Sequence, residues 1–336
     1  MTDPAPLPSY VQLEPVGQCN LKCTMCPIQF RADGRPGTPP AFMAFDTFVR
    51  LIDGFPGLTD LHLQGLGEPL MHPRFFDMVS LAAARGIRVT TNTNLTVLGP
   101  RRTQRLITCG LDCLHVSVDG ATEATYASIR TGARLSRVLG NLRAFVQARA
   151  RLQSPTPRLH LVMVVMRRNL SELAALVRIA ADMGAEELFV QHLCHDFAEP
   201  TLPAVYNPMR DFVESETLAH EAPELVAAAF DEAREIAAGL GLRLRLPRVG
   251  PREHPPGTPG RERCSWPWTG AYVSYQGLAM PCCMISTPDR LNFGNMAISG
   301  VKAVWHGRPY EAFRQQLDSD EPPAICRSCS IYKGTF

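Results

Sequence analysis

Three cysteines in the run Gly17-Gln18-Cys19-Asn20-Leu21-Lys22-Cys23-Thr24-Met25-Cys26-Pro27 have the spacing C-x3-C-x2-C. Three closely spaced thiolates suit a cube-shaped 4Fe–4S cluster, which ordinarily takes four. One iron is then left without a protein ligand and can hold a reactant. A low-potential cluster with such an iron can deliver one electron to a molecule bound there. Zinc sites instead pair their ligands as C-x2-C with a second pair some distance away. The triplet does not follow that pattern.

A second set lies near the other end. Cys264 is followed by twelve residues, Gly277, four residues and Cys282; then come Cys283 and the C-x2-C pair Cys326-Arg327-Ser328-Cys329. Two separated cysteines plus such a pair suit either a four-thiolate zinc site or an iron–sulfur cluster. The remaining thiols are Cys109, Cys113 and Cys194. Cys109 and Cys113 read as buried core residues just before a strand, a common fate of a free cysteine. Cys194, with His195 beside it, lies near the end of a strand.

The chain must position these residues with 336 amino acids, 45% of them hydrophobic and 20% charged. This is ordinary for a soluble globular protein of about two domains. The formal net charge of +2 points to no nucleic acid or other polyanionic partner. The N-terminus lacks the basic and apolar regions of a signal peptide. No stretch approaches the ~18 apolar residues of a membrane span. Eleven cysteines in a chain read as cytoplasmic are expected to be metal ligands rather than disulfides.

Strand-like and helix-like runs alternate over the first two thirds. Candidate strands are residues 11–15, 61–63, 87–90, 114–118, 159–166 and 188–190. The fifth, Leu-His-Leu-Val-Met-Val-Val-Met, is nearly all apolar, as a strand covered on both faces should be. Leu135, Val138, Leu139, Leu142, Phe145 and Val146 share one helical face, as do Leu170, Leu173, Leu176, Val177, Ala180 and Met183. Asn169 with Glu172 reads as a capping box for the second of these helices. Six βα units predict an α/β fold with a parallel sheet curling into a six-stranded partial TIM-type barrel.

Chemistry in such barrels sits at the carboxyl ends of the strands. Polar and glycine residues gather there: Gln64-Gly65-Leu66-Gly67-Glu68-Pro69, Thr91-Asn92-Thr93-Asn94, Ser117-Val118-Asp119-Gly120, Met166-Arg167 and Gln191-His192. From about residue 200 the alternation breaks down. A helix over 225–240 turns Leu225, Val226, Ala229, Phe230, Ala233 and Ile236 inward, a short strand covers 242–246, and a Pro-rich linker covers 250–260.

The cysteine triplet, followed by these strand-end motifs, resembles the cluster loop of the radical S-adenosylmethionine (SAM) superfamily. The resemblance implies that Cys19, Cys23 and Cys26 hold three irons while SAM chelates the fourth. One-electron cleavage of SAM then gives a 5′-deoxyadenosyl radical that abstracts a hydrogen atom from substrate. The Gly-x-Gly-Glu-Pro stretch resembles the family's glycine-rich SAM motif, implying SAM contacts from Gly65, Gly67 and Glu68. Ser117, Asp119, Arg130, Asn92 and Gln191 take SAM-contact roles by the same likeness.

The second cysteine set resembles the twitch domain, the short form of the SPASM extension. The likeness includes Gly277 in a hairpin, Phe293-Gly294-Asn295-Met296, and Val304-Trp305 before Arg314. It implies one auxiliary 4Fe–4S cluster on Cys264, Cys282, Cys326 and Cys329, with an electron-passing role. Cys283 is left over beside Cys282: it reads as a spare thiol, as a ligand in place of Cys282, or, by likeness to twitch enzymes that invert a carbon centre, as a hydrogen donor to a substrate radical. The expected division is a barrel over 1–199, an extension and linker over 200–263, and a twitch domain of hairpin plus helix over 264–336.

The resemblance implies dehydrogenation, epimerisation or decarboxylation of a small molecule such as a sugar, aminocyclitol or nucleoside. It also implies a reducing partner such as flavodoxin or ferredoxin. Maturation of a ribosomally made peptide is the rival; eighteen residues before Cys19 are too few for a leader-binding domain. A zinc-binding protein without enzymatic activity is the rival from another class.

Overall fold

The computed structural model describes residues 5–31, 41–193, 197–250, 264–285 and 287–335. All six expected strands form: β1 Tyr10–Leu13, β2 Asp60–Leu63, β3 Arg88–Thr93, β4 Cys113–Ser117, β5 Arg158–Val165 and β6 Glu187–His192. They pair in parallel in chain order. Alternation of side chains along each strand sorts the residues. Leu61, Leu63, Leu114, Val116, Leu159, Leu161 and Met163 are buried in one continuous core with helix residues such as Phe48, Val79, Leu142 and Val177. The other face carries Gln12, His62, Thr90, His115 and His160.

The sheet does not stop at six strands. β7 Arg243–Arg245 adds to β6 in parallel, and its Arg243 pairs with Glu187 directly opposite. On the far side β8 Gly270–Val273 pairs in parallel with β1, and β9 Ala279–Met280 closes an antiparallel hairpin. The order is β7-β6-β5-β4-β3-β2-β1-β8-β9, nine strands among the described residues. The expected count of six is therefore corrected. Local patterning marks 242–246 and the hairpin as strands, but their partners lie far away in sequence.

The C-terminal segment also grips the N-terminal one. Trp305, fully buried, donates its indole N–H toward Ala5 O (3.1 Å) and Pro6 O (3.0 Å) just before β1. Arg314 stacks over Trp305 and Tyr310, each 4.2 Å away, and donates to Pro267 O at 2.8 Å. The family-like Trp305 and Arg314 thus form the core that carries the segment after Cys264.

Two local expectations are corrected. Residues 167–172 form a 3-10 turn before the helix Leu173–Asp182, and the expected capping box is absent. Asn169 instead ties the strand ends together, accepting from Met166 N and donating to Asp119 O and Val164 O. Glu172 caps the neighbouring helix Glu123–Ile129, accepting from Ala121 N at 2.6 Å and Thr125 Oγ1 at 2.6 Å. In the helix Pro223–Leu240 the buried stripe is Val226, Phe230, Ala233 and Ala237, which leaves Leu225 55% exposed. The expected linker at 250–260 lies almost wholly outside the described residues, as do Cys194 and His195.

Candidate cluster and cofactor site

β1 hands the chain to the segment carrying Cys19, Cys23 and Cys26. That segment is stitched across the mouth of the sheet by backbone bonds. Lys22 N–H donates to Thr131 O and Thr24 N–H to Ile129 O, each at 3.0 Å, and Cys26 N–H closes on Cys23 O at 3.1 Å. A cavity of about 240 Å³ opens beside it, lined by all three cysteines. Gly65, Gly67 and Glu68 line it from the loop after β2, and Asn92, Ser117, Arg130 and Gln191 from the strands and loops beyond. The strand-end residues read from the sequence therefore converge on one space.

Burial pushes the Cys19 thiol up to about 11 and that of Cys26 to about 12, and neighbouring thiols push in the same direction. Burial likewise raises Cys23. Three such thiols, Cys23 buried and Cys19 and Cys26 half-buried, resist ionising together and are stabilised as thiolates by a cationic centre. Arg130 supplies part of that charge, with Nη1 4.0 Å from Cys23 Sγ. The donor set, three cysteines lining one cavity, fits an iron–sulfur cluster that would leave one iron without a protein ligand.

Asp119 is the exception among the expected contacts. It is fully buried and does not line the cavity. One carboxylate oxygen engages Arg130 Nε and the other accepts from Val164 N–H at 2.8 Å. Its place is behind Arg130, which it orients.

The loop after β2 shows why glycine is required there. A Cβ on Gly67 would lie 2.0 Å from Val16 O and 2.6 Å from Gln18 O. Glu68 follows, 2% exposed, and donates its N–H to Gln18 O at 3.0 Å. Its carboxylate accepts from Thr93 Oγ1 (2.6 Å), Asn94 N (2.8 Å) and Leu70 N (3.1 Å). Burial nonetheless raises its pKa. Glu68 thus locks the glycine loop to the ends of β1 and β3 while one edge faces the cavity.

Several site residues were given no role of their own from the sequence. Asn94 donates toward Cys19 Sγ at 3.7 Å and to Asn20 at 3.1 Å. Gln64, held by Gln12 at 2.8 Å, donates to Gly65 O at 2.7 Å. Glu14 and Arg31 form a wholly buried ion pair at 2.7 Å, and Glu14 also accepts from Leu66 N–H and Tyr275 N–H. That pair joins β1, the glycine loop, the far end of the cluster segment and the C-terminal hairpin. Gln64 and Asn94 sit inside motifs already singled out, so only their neighbours pointed to them. Glu14 and Arg31 have no such marker.

The apolar wall of the cavity comes from Met25, Leu193, Phe197, Met209, Val213 and Met284. The segment after β6 is clamped to the C-terminal region. Tyr206 donates to Asp289 at 2.8 Å, and Arg290 pairs with Glu199 with both side chains almost fully buried.

The second cysteine set also converges. Burial comes first, then Cys283, Cys329, Cys264 and Cys326, in holding the Cys282 thiol well above its usual range. Cys264 is pushed to about 11 by burial, with Cys329 adding to the rise. Cys329 N–H donates to Cys326 O at 3.1 Å, so the C-x2-C pair forms a single turn. The hairpin turns at Gly277, whose φ of +88° suits glycine, and delivers Cys282 after β9. Four such thiols fit a fully ligated cluster. Cys283 does not line the cavity; its neighbour Met284 does. Cys109 and Cys113 are both buried, as expected.

A sequence model described as the radical SAM superfamily matches residues 13–189, and one described as an iron-sulfur cluster-binding domain (SPASM) matches residues 264–330. The chain is 29% identical to a tungsten-containing aldehyde ferredoxin oxidoreductase cofactor-modifying protein from Pyrococcus furiosus, over 96% of this chain and 87% of that protein. It is 27% identical to a PqqA peptide cyclase from Ruegeria pomeroyi, over 98% of this chain and 81% of the cyclase. Among solved structures, Streptococcus suis SuiB bound to precursor peptide SuiA shares the fold, with a TM-score of 0.68 at 13% identity over 98% of this chain and 71% of SuiB.

Proposed function

The chain belongs to the radical SAM superfamily, with a C-terminal SPASM-type domain and with SAM and two 4Fe–4S clusters as cofactors, and on that premise we propose that it is an enzyme that modifies a ribosomally made peptide. The observation that supports this most is the likeness to a PqqA peptide cyclase over nearly the whole chain, both cysteine sets included. This reverses the preference for a small molecule drawn from the sequence. A reducing partner such as flavodoxin or ferredoxin belongs to the same reading.

In this reading Cys19, Cys23 and Cys26 hold the SAM-binding cluster, and Cys264, Cys282, Cys326 and Cys329 hold the auxiliary one. SAM held there would supply one-electron radical chemistry, namely hydrogen-atom abstraction from the substrate. Gly65, Gly67 and Glu68 present backbone and carboxylate to the amino end of SAM. Arg130, oriented by Asp119, offers its cation to the carboxylate. Asn92, Ser117 and Gln191 address the remaining polar groups. Met25, Phe197 and Met284 give the substrate side chain an apolar wall and exclude water from the reacting carbon. The proposed units are 1–199, 200–263 and 264–336.

The test is anaerobic reconstitution with SAM, dithionite and candidate precursor peptides. The expected result is more 5′-deoxyadenosine with peptide present, and a peptide lighter by two hydrogen atoms per new bond. A second reading, modification of a cofactor-like small molecule, is favoured by the 29%-identical cofactor-modifying relative. Stimulation by a small molecule, with every peptide unchanged, would select it.

A further inference from the structure

Inside the barrel, next to the cavity floor, lies a group of donors that neither cysteine set includes. Cys113 and His115 stand two residues apart on β4 and so share a face. His160 on β5 is the direct strand partner of His115, and Asn92, which lines the cavity, is its partner on the other side. One donor atom from each of Cys113, His115 and His160 lies within 4.8 Å of the other two. Cys113 is 2% exposed and His160 8%.

Two details separate this group from ordinary buried histidines. His62, one strand pair away, is satisfied at both ring nitrogens, by Thr90 Oγ1 at 2.6 Å and Gln64 Oε1 at 3.2 Å. His160 Nε2, by contrast, is buried with no hydrogen-bond partner. A buried polar atom left unmatched in this way is costly, and a ligand there would relieve it. His115 Nδ1 lies 3.3 Å from Thr91 O. Donating there leaves the Nε2 lone pair facing Cys113 Sγ at 3.8 Å. A backbone carbonyl that fixes the tautomer in this way is the usual outer support of a metal-binding imidazole.

We propose that Cys113, His115 and His160 form a site for one divalent transition-metal ion of the zinc type, distinct from both cluster sites. Zinc bonds to sulfur near 2.3 Å and to nitrogen near 2.0–2.1 Å, so a tetrahedral ion sets its sulfur and nitrogen ligands about 3.6 Å apart. The Cys113–His115 spacing already approaches that value. One thiolate and two imidazoles select zinc over magnesium or calcium, which take oxygen. On binding, the Cys113 S–H bond breaks, its proton leaves to solvent and the sulfur–metal bond forms. Three protein donors leave one position for water. The ion joins β4 to β5 beside Asn92 and Ser117 and stiffens the floor of the cavity.

The test uses the reconstituted holoenzyme, equilibrated with zinc chloride, dialysed, and analysed for zinc and iron by mass spectrometry and by zinc K-edge absorption fine structure. The expected result is one zinc per chain with one sulfur and two nitrogens in its shell. Cys113→Ser and His160→Gln should each lower retained zinc by roughly tenfold or more, with iron unchanged. Wild-type protein that retains no zinc would overturn the site. So would a sulfur-only shell, which places the ion among the cluster cysteines, or variants that keep the zinc. The wild-type spectrum decides the matter even where a variant fails to fold.

Discussion

Arg130 holds Nη1 4.0 Å from Cys23 Sγ while its Nε is engaged by the buried carboxylate of Asp119. The guanidinium thus faces Cys23 and the cavity at once. Asp119 fixes that orientation from behind, through a strand end that also holds Val164 N–H.

Arg130→Gln should reduce SAM cleavage tenfold or more, because a hydrogen bond to a charged group contributes about 1.5–3 kcal/mol. Asp119→Asn should show a smaller fall in the same direction. Both proteins should keep the wild-type iron content. Formation of 5′-deoxyadenosine at varied SAM concentration measures the effect, and unchanged kinetics would remove Arg130 from the site.

The two cysteine sets should separate cleanly. Replacing Cys19, Cys23 and Cys26 by Ala should abolish SAM cleavage and leave about four irons per chain. Replacing Cys282 and Cys326 should also leave about four, with SAM cleavage retained and product lost. Cys283→Ala should form product normally, since Met284 rather than Cys283 faces the cavity. Loss of product in that variant would restore the hydrogen-donor role.

Gly67→Ala should fail at the SAM-binding cluster. Its Cβ has backbone oxygens 2.0 and 2.6 Å away, and backbone cannot rotate clear as a side chain can. The cost is on the order of 3 kcal/mol. Iron analysis and urea unfolding, run anaerobically, should show both deficits. A stable variant with full iron would mean that the loop moves freely.

The Glu14–Arg31 pair offers a test by double substitution. Arg31→Met leaves a buried carboxylate unmatched and should cost about 3–5 kcal/mol. Glu14→Leu with Arg31→Met should be less destabilised than Arg31→Met alone. Recovery will be incomplete, because Leu66 N–H and Tyr275 N–H lose their acceptor. A double variant worse than the single one would contradict this account.

His72 predicts the pH response. It is buried beside the Glu68 loop, with Nε2 2.9 Å from Met43 O and Nδ1 accepting from Arg74 N–H at 3.0 Å. Burial holds its pKa below the usual histidine value. Above about pH 6.5 the ring is neutral in folded and unfolded chains alike. As the pH falls below that, the unfolded chain takes the proton first, so stability declines. Urea midpoints between pH 8 and 5 should fall less steeply in His72→Gln. Equal slopes would rule out this histidine as a contributor.

The sequence was most informative where function demands a fixed local spacing. The C-x3-C-x2-C triplet and the strand-end motifs depend on neighbours a few residues apart, and Gly65, Gly67, Glu68, Asn92, Ser117, Arg130 and Gln191 all reach the cavity. Asp119 shows the limit. Its place just after β4 was legible, but its carboxylate is taken up by Arg130 Nε and Val164 N–H and does not line the cavity. Contacts between distant segments were not legible. The Glu14–Arg31 pair, the Tyr206–Asp289 clamp and the addition of β8 to β1 each join residues that no local pattern relates.

β8 on β1 has a consequence for how the protein is made. Tyr10 leaves the ribosome long before its partner Gly270, with all of β2 to β7 made in between. Until then the outer edge of β1, which leads straight into the cluster cysteines, is a bare row of peptide groups open to pairing with another chain. Long-range pairings of this kind close late and slowly. A nascent chain that stalls before residue 270 is therefore a template for aggregation, and iron delivered early would meet a site whose flanking strand is still uncovered.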